Sequence, residues 1–195
     1  HKSKKPLWIS EYGIDAWDHV NKKEQQEAQA EWVGNNWDEI AKSSVCIGAT
    51  LMAYSDEWWK AGDPDSHDFG GYGTDAWGKT HPDNYSNEEW WGVVAVERTE
   101  GGIDKVIPRK VYYTLLERWA RPYDLEAKYS QAEPEAINLW EVELNPGEGL
   151  PVKKTLSKGP VQIKGKELLV EGKPFFIKGI AYQPTPIGYN VAEYD

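Results

Sequence analysis

The run KPLWISEYGID, residues 5–15, decides how the chain reads. Leu7 to Ser10 is a short apolar segment entered from a basic stretch, the pattern of a buried parallel strand. Glu11 follows at its C-terminal end, and Gly13 marks the turn out. In α/β barrels the loops after the strands converge on that end, so a carboxylate placed there faces the site.

Outward from this run, Asn21 to Lys42 has helical spacing, with Ala28, Trp32, Val33, Trp37, Ile40 and Ala41 on one apolar stripe. Val45 to Tyr54 is uncharged and reads as a second buried strand, which completes a strand–helix–strand unit. Ser55 to Trp91 is a long irregular stretch holding five of the eleven Trp. Loops of that length are uncommon and usually functional. Pro108 to Arg121 predicts a further helix, with Val111, Tyr112, Leu115, Leu116 and Trp119 as its stripe. Residues 126–160 are rich in proline and glycine and read as a linker with one possible strand, INLWEVEL. Residues 161–195 carry hairpin signals at Lys164-Gly165 and Glu171-Gly172.

The chain has 195 residues and a net charge of -10. That charge argues against nucleic acid, which needs clustered cations to displace counterions, and against an anionic membrane surface. A neutral sugar carries no such cost. Eleven Trp and eleven Tyr stand against three Phe. Rings with polar rims suit stacking on pyranose faces better than a plain core requires. One cysteine, Cys46, excludes a disulfide framework and leaves the compartment open.

KPLWISEYGID resembles the seventh-strand signature of family 2 and related clan-A glycoside hydrolases, the group of β-glucuronidases and β-galactosidases. EQQEAQAEWVGNNWDEI, GATLMAYSDEW and PRKVYYTLLERW are similar to that family's seventh helix, eighth strand and last helix, in the same order. The resemblance covers roughly residues 4–121. It implies an α/β fold, with residues 1–125 as the C-terminal part of a (β/α)₈ TIM barrel. LLVEGKPFFIKGIAY resembles the entry to a glycosidase barrel, so residues 161–195 are expected to begin a second glycosidase-like module in the same chain.

The activity implied is hydrolysis of O-glycosidic bonds with retention, acting on an oligo- or polysaccharide. Glu11 is then the nucleophile. The second carboxyl, about 5–5.5 Å away in retaining enzymes, is expected after strand four, upstream of this sequence. Tyr12 is expected to hydrogen-bond and orient Glu11. Asp15 matches the family's Gly-x-Asp. Asp56 and Glu57 are candidates for binding sugar hydroxyls, and one of Trp58 and Trp59 for the sugar platform. Many relatives carry a Trp on the eighth strand where this chain has Met52. The Asn87-Glu88 pair lies in a loop and is rejected as the acid. Asp63, Asp65 and Asp68 lack the spacing of a calcium loop, and His67 and His81 lack that of a metal site. No metal or cofactor is implied. Two other readings stand beside this one: a non-catalytic carbohydrate-binding module, and a Trp-rich surface that binds protein.

Overall fold

A computed structural model describes residues 5–74, 81–101, 103–130 and 160–191. The INLWEVEL segment lies outside the described residues. The chain groups into two compact units interleaved in sequence. One comprises residues 1–9, 40–49 and 122–177, the other 10–39, 50–121 and 178–195.

In chain order, β1 is Leu7–Tyr12, β2 Trp17–Asp18, β3 Lys23–Glu24, α1 Gln26–Lys42 and β4 Cys46–Leu51. Then come a 3₁₀ turn at Trp58–Lys60, β5 Tyr72–Gly73, β6 Tyr85–Ser86 and a 3₁₀ turn at Glu88–Trp90. They are followed by β7 Val94–Glu97, β8 Lys105–Pro108, α2 Lys110–Ala120 and α3 Leu125–Ser130. β9 Val161–Lys164, β10 Glu167–Val170, β11 Lys173–Pro174 and β12 Ile177–Ile180 complete the order.

The barrel expectation is corrected here. Closing a barrel needs eight tilted strands in one continuous sheet. The described residues instead make five small sheets, the largest of three strands. The pairs β9–β10, β10–β11, β2–β3, β5–β6 and β7–β8 are all antiparallel. Only β1, β4 and β12 share a sheet in which sequence neighbours are not hairpin partners. The apolar runs at β1 and β4 are strands as expected; β4 is buried, but β1, expected to be buried too, is mostly exposed, with Leu7 at 38% and Trp8 at 51%.

In the second unit, Ile14, Ala30, Val33, Leu51, Val93, Val94, Val111 and Leu115 form the core. Burying each Val, Leu or Ile side chain there contributes roughly 1.5–3 kcal/mol. The stripe expected on α2 is narrower than its sequence suggests. Leu115 is 3% exposed and Leu116 is 58% exposed, so Leu116 has no place in this core. Pro108 ends β8 opposite Val94, and the helix starts two residues later. Lys23 and Glu24, read as helix, instead pair with Trp17 and Asp18 through a turn with Lys22 at φ 54°. Asp18 holds this turn by accepting the N–H groups of Val20 and Asn21 at 2.9 and 2.8 Å.

In the first unit, Ile47, Tyr129 and Leu168 pack together with Leu125, Ile163 and Ile177. Lys128 of α3 donates to the carbonyls of Ile40, Ala41 and Ser43 at 3.2, 2.7 and 2.6 Å, and so caps the end of α1. Both hairpin signals correspond to turns. Val170 faces Lys173 across Glu171 and Gly172, whose φ values are 51° and 77°. Two positive φ values are what a two-residue turn of the primed type requires.

Candidate functional site

Within the stretch 55–92, the described residues 55–74 and 81–92 are held by buried carboxylates that accept backbone N–H groups. Asp15, 7% exposed, accepts the Asn87 N–H at 2.7 Å. Burial drives its carboxyl up to about 8, against the pull of that bond. Glu89, fully buried, accepts the N–H groups of Ala61 and Asp68 at 3.1 and 2.6 Å, and burial raises it to about 7. Asn87 ties the same segments: its side-chain amide donates to the carbonyls of Asp68 and Gly70 at 2.9 and 2.6 Å, and its side-chain oxygen accepts the Glu89 N–H at 3.1 Å. The described part of this loop closes on these directed bonds together with stacked rings.

Asp56 and Arg109 lie at its centre. The guanidinium donates to both Asp56 oxygens, at 2.5 and 2.7 Å, to the Gly92 carbonyl at 2.9 Å and to Glu24. Asp56 also accepts the Gly92 N–H at 3.1 Å. Gly92 has to be glycine, because a Cβ there would come within 2.3 Å of the Asp56 nitrogen. Burial pushes Asp56 up to about 6 while the guanidinium pulls it down, so it remains ionised at neutral pH. The Asp56 carboxylate in turn holds Arg109 above its ordinary value against burial.

Beside this pair runs a column of stacked rings. Trp58 lies on His67 with centroids 4.7 Å apart and planes 13° apart. His67 lies on Trp90 at 3.7 Å and 10°. Trp90 continues to Trp17 at 4.8 Å, and Trp17 to Phe69 at 4.6 Å. Enclosed between two indoles, His67 is pushed down to about 4 by burial and is neutral at pH 7. Its Nε2 lies 3.3 Å from the Glu89 carbonyl, which only accepts, so Nε2 carries the proton.

The residues singled out from the sequence divide between separate places. Glu11 is exposed on β1, and among the described residues its carboxylate has no hydrogen-bond or ion-pair partner. Tyr12 does not orient it. Successive strand residues point to opposite faces, and Tyr12 stacks on Trp37 at 6.4 Å and packs against the core. Asp15 and Asp56 are committed to the loop's interior bonds. Glu57 is 6% exposed, lies 3.5 Å from the Lys60 ammonium, and is raised by burial. Trp58 joins the ring column, whereas Trp59 lies under the Lys60 ammonium at 5.0 Å. Glu88 of the rejected pair binds Lys60 at 3.1 Å and accepts the Tyr72 hydroxyl at 3.2 Å.

Arg109 and Glu89 were not singled out from the sequence, and His67 was named there only to be set aside as a metal ligand. Arg109 follows a proline at a helix start, a position that signals a cap and says nothing of a partner fifty-three residues away. Comparison of the chain with family models, with curated proteins and with solved structures finds no match.

Proposed function

We propose that this chain carries the nucleophile of a retaining glycosidase, with Glu11 as that group. The observation behind the reading is the state of Glu11. Its backbone belongs to a paired strand, and its carboxylate is exposed and engaged by no other described residue. A group that must attack an anomeric carbon needs free oxygen lone pairs on a fixed backbone. The buried carboxylates of the loop are engaged by N–H groups and by Arg109. The stacked rings and the neutral His67, at a separate place from Glu11, are of a kind suited to an uncharged sugar.

The test uses activated substrates, 2,4-dinitrophenyl 2-deoxy-2-fluoroglycosides of the gluco, galacto, manno, xylo and glucurono series. Dinitrophenolate leaves without protonation, so the assay reads the nucleophile by itself. The expected result is one glycosyl adduct, located by peptide mass on Glu11 and absent from Glu11→Gln. No adduct across the panel, or an adduct on another residue, overturns the assignment. A non-catalytic carbohydrate-binding module is the rival that the ring column also favours. It predicts sugar binding with no covalent labelling.

A further inference from the structure

A groove of about 430 Å³ runs within the second unit, between the β7–β8 hairpin and the loop after β12. Tyr54, Val96, Val106, Tyr182, Pro184 and Pro186 line it. Ile103, Val106 and Tyr182, exposed to 95%, 49% and 60%, all belong to its walls. Large apolar side chains scattered singly are normal on a surface, but several gathered at one groove mark a place of contact.

The walls are set before any ligand arrives. Tyr54 packs against the aliphatic core, and its N–H donates to the Ala181 carbonyl at 2.7 Å, which places Tyr182 beside it. The two rings stand at 83° with centroids 5.2 Å apart and so form a corner. Pro184 and Pro186 fix their own φ angles. Just beyond them, the Ile187 N–H donates to Asp104 at 3.1 Å and the Gly188 N–H to the Pro64 carbonyl at 2.8 Å.

Three polar groups remain unused at this surface. Among the described residues, the hydroxyls of Tyr54 and Tyr182 have no hydrogen-bond partner. Asp104 accepts the Ile187 N–H but has no ion-pair partner among the described residues, and its neighbour Lys105 is taken by Glu97 at 3.2 Å. Asp56, the other carboxylate here, is neutralised by Arg109. Among the described residues no Lys or Arg lines the groove. Asp104 therefore leaves an uncompensated negative charge beside apolar walls.

These features select a ligand. Walls of Val, Ile and Pro disfavour a hydroxyl-rich molecule, whose polar groups would lose water without gaining partners. A polyproline II segment presents apolar rings, and its carbonyls make no internal hydrogen bonds. Its conformation is preset, so docking costs it little entropy. Pyrrolidine rings fit the corner between tyrosines, tyrosine hydroxyls donate to the free carbonyls, and a cation beside the prolines pairs with Asp104.

We infer that this groove binds a proline-rich segment of a partner chain in polyproline II form, with a basic residue at Asp104. The inference is independent of the chemistry proposed at Glu11.

The full chain is titrated with three capped peptides. One is hexaproline followed by arginine, the second has glutamine for the arginine, and the third has glycine for the prolines. Affinity is read by calorimetry, and location from the amide resonances of Ile103, Val106 and Tyr182. The proline–arginine peptide should bind and shift these three. The glutamine peptide should bind about threefold more weakly, the scale of an exposed ion pair. That difference should vanish at about 1 M salt. The glycine peptide should bind about tenfold more weakly or worse, since it must be ordered on docking. Tyr182→Ala should weaken the proline–arginine peptide about tenfold. Asp104→Asn keeps an oxygen for the Ile187 N–H and should bind the arginine and glutamine peptides equally.

No binding of the proline–arginine peptide at about millimolar concentration overturns the inference. So does equal affinity for the glycine peptide, an arginine preference that survives Asp104→Asn, or shifts confined to other surfaces. Hexylammonium binding as tightly as the peptide would also overturn it, and would make the groove a site for small apolar cations. The three peptides are compared on the unaltered chain, so the test stands whether or not Tyr182→Ala folds.

Discussion

Arg109 and Asp56 face each other in a two-point ion pair in which the side chains are 1% and 0% exposed, fifty-three residues apart in the chain. The pair joins the start of α2 to the stretch that follows β4. Its removal from one side leaves an uncompensated charge where water does not reach.

Arg109→Met should therefore cost about 3–5 kcal/mol of stability, the usual penalty for breaking a buried pair from one side. The double change Arg109→Met with Asp56→Leu should recover a large part of that loss. Urea denaturation of the two variants and the parent checks both figures. A single variant as stable as the parent would show that the pair is solvated.

Stability should fall as pH rises from 6.5 to 8. The folded Asp15 and Glu89 carboxyls are raised to about 8 and about 7, above their ordinary values. Between those ordinary values and the raised ones the folded chain binds more protons than the unfolded chain, so their contribution is full at low pH and is lost on the way up. His67, lowered to about 4, acts in the opposite sense, but only below about 6.5. The urea midpoint measured at pH 6.5 and at pH 8 should therefore be lower at pH 8. Asp15→Asn should flatten the difference, and a midpoint that rises instead would contradict the burial of these groups.

The elements that could be read from the sequence are those fixed by local chemistry. β1, β4, most of α1 and the turn at Glu171-Gly172 lie close to where apolar spacing and turn residues put them. What the sequence hid was pairing at a distance. Gln29 lies on the buried face of α1 and donates to the carbonyls of Ile14 and Gly92, both at 3.2 Å, yet glutamine in a helix reads as solvent-facing. Asp15 and Asp56 were singled out as sugar-site candidates, whereas the structure engages both in bonds of the loop interior. Their partners, Asn87 and Arg109, were out of reach, because no periodicity links residues that meet only after a long loop has folded. The barrel failed for the same reason, since neighbour number in a sheet is a property of the whole chain.

Glu171→Asn should stabilise the first unit by up to about 1 kcal/mol. Glu171 occupies φ 51°, a region that costs most L-residues about that much and that asparagine tolerates. Thermal melting of the full chain checks it, and an unchanged or lower midpoint would show that the turn is not formed.

Lys128→Met should keep the apolar stem and lose the three carbonyl contacts at the end of α1. A single hydrogen bond to a charged group contributes about 1.5–3 kcal/mol where burial is complete. A loss of roughly 2 kcal/mol is expected for this half-buried cap. Faster amide hydrogen exchange in the last turn of α1 should accompany it, with the turns nearer Gln26 less affected.

The carboxylate scaffold of the stretch 55–92 also has a thermal signature. Exposing peptide groups and carboxylates to water lowers the heat capacity, whereas exposing hydrocarbon raises it. Melting the described part of this stretch opens these polar bonds together with the rings of Trp58, Phe69 and Trp90, so the two contributions to the heat-capacity increment oppose each other. Calorimetry of the chain should show a smaller increment than burial of those rings alone would give.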